Sequence, residues 1–142
     1  MRVLVLAVVV LTVAASGVAR AAVRPTLTVR SSSYGAILFD GRGRALYAFT
    51  RDRRGGPSRC YGACARAWPV YFAGGRLAAG KGVKRSLIGT VRRRDGRRQI
   101  TYNGRPLYYY VGDTRAGQVS CQNVAEYGGT WLVMRPGGAL VR

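Results

Sequence analysis

One ten-residue stretch occurs twice in this chain. Gly43-Arg-Ala-Leu-Tyr-Ala-Phe-Thr-Arg-Asp52 returns as Gly104-Arg-Pro-Leu-Tyr-Tyr-Tyr-Val-Gly-Asp113, with Gly, Arg, Leu, Tyr and Asp at matching positions. The match runs on: Cys60 lies eight residues after Asp52, Cys121 lies eight after Asp113, and a tryptophan follows in each copy, Trp68 and Trp131. A tandem duplication of this kind implies two similar units that share one interior, because each supersecondary unit is too small to bury its apolar side alone. It describes an architecture and leaves the reaction, if any, unnamed.

The units are β. Ala36–Phe39 leads through Asp40-Gly-Arg-Gly43 into Leu46–Thr50, and Leu87–Val91 leads through Asp95-Gly96 into Gln99–Tyr102, then through Asn103-Gly104 into Leu107–Val111. Trp131–Met134 turns at Pro136-Gly-Gly138 into Ala139–Val141. Asp-Gly and Asn-Gly supply the positive φ that tight hairpin turns require, so these are the strongest local signals. The expected fold is all-β, a compact antiparallel sheet or barrel-like domain built from two pseudo-repeats, about 34–73 and about 86–138. One helical turn is expected at Ala63–Trp68, ended by Pro69. Leu38, Leu46, Phe49, Trp68, Leu107, Tyr110 and Trp131 are the expected core.

Met1-Arg2, an apolar run from Val3 to Ala15 and the small residues Ala19 and Ala21 have the three parts of a secretory signal peptide over 1–21. Ser16, Gly17 and Arg20 end the run short of the ~20 apolar residues of a membrane span. Residues 22–33 read as an export linker ending in a first strand, and 34–142 as a single β domain. Without residues 1–21 the chain keeps 22 basic residues against 5 acidic ones, a charge of about +17. Such a cation favours acidic partners. A skew toward Arg over Lys also follows from base composition alone, and runs such as Arg92-Arg93-Arg94 and Arg97-Arg98 are exposed on either account. These five arginines are the candidate anion-binding residues, with an anionic wall polymer or membrane surface as partner. Specific nucleic-acid binding is not expected of an exported chain.

Histidine is absent. That removes the usual general base, the commonest metal ligand and any Ser-His-Asp or Cys-His pair. Three cysteines fall one short of a closed zinc site, so no metal and no cofactor are expected. In an exported chain they suggest one disulfide and one leftover thiol. Cys60 with Cys64 is favoured by proximity, and Cys121 is free or an alternative partner. Gly80-Lys81 is followed by Gly82 and Val83, where a P-loop has Ser or Thr, which favours a plain linker.

Asp52 and Asp113 each close a copy of the motif. In a strand Tyr47 and Phe49 share a face, as do Tyr108 and Tyr110. One reading makes the two aspartates the carboxylate pair of a hydrolase beside aromatic platforms. The other makes each a turn cap that accepts backbone N–H bonds, with the aromatics filling the core. Duplication favours the second, because two catalytic carboxylates seldom come from one motif in identical settings. A third reading is an extracytoplasmic thiol-redox role for Cys60, Cys64 and Cys121.

At these repeats the chain resembles a bacterial secreted-repeat family of unknown function, often described as predicted lipoproteins and marked by Tyr-x-(Phe/Trp/Tyr)-x-x-Asp. Both copies carry it, Tyr47-x-Phe49-x-x-Asp52 and Tyr108-x-Tyr110-x-x-Asp113. Cys60-x-x-x-Cys64, Trp68-Pro69, Thr101-Tyr-Asn-Gly104, Pro106-Leu-Tyr108 and Gly128-Gly-Thr-Trp131 also match. The resemblance spans about 34–138 and implies a small exported cell-envelope protein, with no catalytic residues to carry over. Two departures stand out: no cysteine follows the apolar run to take a lipid, and Cys121 is an extra thiol. The reading is a secreted, non-catalytic envelope module.

Overall fold

The computed structural model describes residues 24–142. The segment read as a signal peptide lies outside them. In chain order the elements are β1 (Leu27–Ser32), β2 (Gly35–Asp40), β3 (Tyr47–Phe49), α1 (Ala63–Ala67), a 3-10 turn (Arg85–Leu87), β4 (Ile88–Arg92), β5 (Arg98–Tyr102), β6 (Arg105–Tyr108), β7 (Val124–Glu126) and β8 (Gly129–Val133). All strand pairs are antiparallel. β1 and β2 form a hairpin of their own, and the other six strands form one sheet in the order β4-β5-β6-β3-β8-β7. That sheet is open, with β4 and β7 as its edges, and does not close into a barrel. The stretch read as a linker ends in β1, whose Leu27 is buried beneath the sheet.

Two strands from different copies meet at the centre. β3 pairs with β6 so that Tyr47 stands directly opposite Tyr108 and Ala48 opposite Leu107. An antiparallel pair of identical motifs in this register has a local two-fold axis between the two tyrosines, and the rest of the chain follows it. The amide of Leu38 donates to the carbonyl of Met134, and that of Ile100 to the carbonyl of Tyr71. The amide of Thr50 donates to Thr130 and that of Val111 to Ala67. Hairpin β1–β2 is thus the counterpart of β4–β5, with Val29 opposite Leu38 as Thr90 is opposite Ile100.

The copies part at the link between hairpin and motif strand. Asn103 and Gly104, at φ 49° and 72°, make a two-residue turn that carries β5 straight into β6. The corresponding link is longer: the Asp40 carboxylate accepts from the amides of Arg42 at 2.8 Å and Arg44 at 2.9 Å, and Gly43 takes φ 87°. β2 therefore swings out of the six-stranded sheet and meets the segment before β3 only at the Phe39–Ala45 bridge.

Alternation along the strands sends apolar side chains to two clusters. One holds Ile37, Phe39, Tyr47, Phe49, Cys60, Trp68, Tyr108, Trp131 and Val133, with Tyr110 packed against it. The other holds Leu27, Leu38, Leu46, Ala48, Ile100, Tyr102, Leu107 and Met134. The residues expected to form one core therefore divide between two layers, Phe49, Trp68, Tyr110 and Trp131 in the first, Leu38, Leu46 and Leu107 in the second. Helix α1 forms where expected, its C-terminal Trp68 amide bonded to the Cys64 carbonyl at 2.8 Å before Pro69.

Candidate functional site

The two motif copies exchange partners across the axis. The Tyr47 hydroxyl donates to Asp113 Oδ2 and the Tyr108 hydroxyl donates to Asp52 Oδ2, both at 2.6 Å. Each aspartate uses its other oxygen at home: Asp52 Oδ1 accepts from the Arg59 amide at 2.7 Å and Asp113 Oδ1 from the Ser120 amide at 2.9 Å, seven residues on in both cases. The capping reading therefore accounts for one oxygen of each carboxylate, and the second locks the opposite copy. This exchange was not legible from spacing, since nothing local shows that β3 will lie against β6.

Both aspartates are 2 % exposed, and the tyrosines that hold them 0 %. Burial pushes the Asp52 carboxyl above the usual carboxylate range, against the opposing pull of the Tyr108 hydroxyl and the Arg59 amide. Burial likewise drives Tyr47 and Tyr108 far above the usual phenol range, reinforced by the facing carboxylates. Acid–base work on a substrate needs a carboxyl that the substrate can reach, and neither aspartate lines any described cleft.

The aromatics form a continuous stack over the axis. Trp68 and Trp131 lie face to face, centroids 4.0 Å apart and planes 1° from parallel. Phe49 stacks on Trp131 at 4.2 Å, and Tyr110 leans on Trp68 at 4.8 Å. Tyr47 meets Trp68 edge-on and Tyr108 meets Trp131 edge-on. The aromatic two places after the motif tyrosine, Phe49 or Tyr110, thus covers the tryptophan of the other copy. The indole N–H groups are not equivalent: Trp68 Nε1 donates to Glu126 Oε2 at 3.0 Å, whereas buried Trp131 Nε1 has no partner among the described residues.

Cys60 and Cys64 form a disulfide, and Cys121, at the position equivalent to Cys60, is free and half-buried. Cys60 is 0 % and Cys64 7 % exposed, which shields the bridge from an attacking thiolate. Burial raises the Cys121 thiol above its usual range, against a hydrogen bond from Tyr110, so it is a poor thiolate source. Among the described residues no group of three His, Cys, Asp or Glu side chains could hold a metal ion.

The five arginines singled out in the sequence do not act together. Arg93 is 6 % exposed and turned inward, donating to Ser58 Oγ at 2.7 Å, Gln99 Oε1 at 2.8 Å and the Cys60 carbonyl at 2.8 Å. Arg97 covers the Phe72 ring and Arg98 donates to Thr90 Oγ1, both beside a separate shallow cleft. Arg92 and Arg94 remain exposed on the other side, where Arg51 and Arg59 of the first copy join them around a cleft of about 620 Å³. Sequence reading missed Arg51 and Arg59. Their signal was position: each precedes a motif landmark, Asp52 and Cys60, whose bonding fixes the loop.

A family model described as a secreted repeat of unknown function matches the chain twice, over residues 28–71 and 89–135. The chain belongs to that family. The two matches coincide with the two halves related by the axis, and the disulfide is consistent with an extracytoplasmic setting for this secreted repeat. No curated protein and no solved structure matches the chain.

Proposed function

We propose that this secreted repeat protein is a non-catalytic cell-envelope module that associates with anionic wall polymer or membrane surface through its arginines. What supports the reading is the fate of the five acidic residues among 24 basic ones. Asp52 and Asp113 are locked to tyrosines, Asp40 holds its turn and accepts from the Tyr109 hydroxyl, Asp95 accepts from the Arg97 amide, and Glu126 accepts from Trp68. The acids are committed to holding the fold. Arginine side-chain hydrogen bonds among the described residues, in contrast, go to neutral acceptors, as at Arg51 to the Tyr127 carbonyl, Arg54 to Asn103 and Arg135 to the Tyr34 carbonyl. The cations keep their charge for an outside partner. Burial of Asp52 and Asp113 weighs against the hydrolase reading, and the shielded bridge with its reluctant third thiol weighs against redox cycling.

The test is sedimentation of the protein with purified wall polymer or anionic vesicles as salt rises from about 0.05 M to about 0.5 M, where the Debye length drops to ~4 Å. Association should fall by at least tenfold. Binding that is absent at low salt, or unchanged at high salt, overturns the proposal.

A further inference from the structure

We propose that the cleft between the loop after β3 and the β4–β5 turn is a binding site for the phosphodiester groups of an anionic polymer; this rests on the envelope-association reading and gives it a location. The cleft is lined by Arg51, Arg59, Arg92 and Arg94, with Arg93 and Ser58 beneath and Tyr61 on one wall; no acidic side chain lines it. Buried Asp52 lies close enough to attract both Arg93 and Arg59. Arg51, Arg92 and Arg94 are not offset by any lining residue.

The frame that carries these charges is rigid. Arg93, just past the end of β4, is pinned to the opposite loop by two hydrogen bonds, to Ser58 and the Cys60 carbonyl, and to β5 by a third, to Gln99. The Asp52 bond to the Arg59 amide and the Cys60–Cys64 bridge close that loop from both ends. The guanidinium groups of Arg93 and Arg94 stand 4.2 and 4.4 Å from the Tyr61 ring centre. Holding like charges together is unfavourable by itself, and a preorganised set of guanidinium forks is the arrangement that receives phosphate oxygens in pairs.

The duplication supplies an internal control against arginines placed by base composition alone. By strand register and motif alignment, the positions equivalent to Arg51, Arg59, Arg92, Arg93 and Arg94 are Gly112, Ser120, Ser31, Ser32 and Ser33. Composition acts on both copies equally, yet one end of the axis gathers five arginines and its mate has none at these places. The charges line the walls of a recess on two separate segments, which suits a chain that threads between them better than a flat bilayer that touches only the rim.

The experiment compares the secreted protein with two variants, each lacking three exposed arginines: Arg59→Ser, Arg92→Ser and Arg94→Ser in the cleft, or Arg85→Ser, Arg115→Ser and Arg142→Ser elsewhere. Titrations use soluble poly(glycerol phosphate), polyglutamate of matched charge, and phosphatidylglycerol vesicles. The expected result is that the cleft variant loses at least tenfold in affinity for poly(glycerol phosphate), the outside variant no more than about threefold, and polyglutamate binds the intact protein at least tenfold more weakly. Equal losses in the two variants overturn the site while leaving general anion association standing. Equal affinity for polyglutamate overturns the phosphate chemistry, and binding to vesicles alone overturns the polymer as occupant. Failure to bind any of the three probes overturns both this proposal and the envelope reading. Folding of both variants is checked by near-ultraviolet circular dichroism of the tryptophan stack.

Discussion

The centre and the rim of the axis obey different rules. At the centre the copies match: Tyr47 serves Asp113 as Tyr108 serves Asp52, at the same 2.6 Å, and an aromatic of each motif covers the tryptophan of the other copy. At the rim they diverge, arginines on one side and four serines and a glycine on the other. The difference teaches that burial enforces symmetry. A buried hydroxyl or carboxylate that loses its partner is destabilising by about 1–3 kcal/mol, so both copies of the lock are needed, whereas an exposed loop residue changes for a few tenths of that. What varies freely at the rim is where a binding role can differ between the halves.

The largest expected effect probes the centre. Tyr47, Tyr108 and, on the other face, Tyr71 and Tyr109 all have their ionisation pushed above the usual phenol range, chiefly by burial. Below about pH 10 both folded and unfolded chains keep these protons, and stability is unaffected; above it the unfolded chain ionises and the folded one resists, so stability falls. Each tyrosine contributes up to ~1.4 kcal/mol per pH unit, and four contribute about 5 kcal/mol per unit. Urea midpoints and tyrosinate absorbance from pH 8 to 11.5 should show ionisation and unfolding arriving together. Gradual ionisation of all tyrosines in a folded protein would contradict the closed centre.

A smaller effect should break the equivalence of the two locks. Asp52 sits beside buried Arg93, and the position matching Arg93 near Asp113 is Ser32. Asp52→Asn therefore also removes the attraction of a carboxylate for buried Arg93, and should cost somewhat more than the hydrogen bonds alone, about 2–3 kcal/mol. Asp113→Asn weakens hydrogen bonds only, at about 1–2 kcal/mol. Chemical denaturation of the two variants measures the gap, and equal losses would show that Arg93 does not depend on Asp52.

The smallest contrast lies in the tryptophans. Trp68→Phe gives up the bond to Glu126, whereas Trp131→Phe removes an N–H that has no partner. With similar ring shrinkage in both, Trp131→Phe should be milder by about 1 kcal/mol in thermal or urea unfolding. A milder Trp68→Phe would mean that the indole of Trp131 is bonded in solution.

Most of the fold was legible because its signals are local. Asn103-Gly104 announces a hairpin, alternation in Leu46–Thr50 and Leu107–Val111 announces strands, and Cys60 and Cys64 are close enough in the chain to find each other. The division of Leu38 and Trp68 into separate layers was not legible, since it depends on which strands become neighbours. The same holds for the site. Tyr47, Asp52, Tyr108 and Asp113 were visible as a repeated pattern, but their exchange of partners is set by the β3–β6 register. Within Arg92–Arg98, a single turn sends Arg93 inward and separates Arg92 and Arg94 from Arg97 and Arg98, a sorting that a run of identical charges conceals.

Neither half satisfies its own motif, so a unit of this length made by itself would leave its tyrosine and aspartate wanting until it met another like it. With both units on one chain the exchange is intramolecular, its assembly does not depend on protein concentration, and an outer loop on one side need not match its twin.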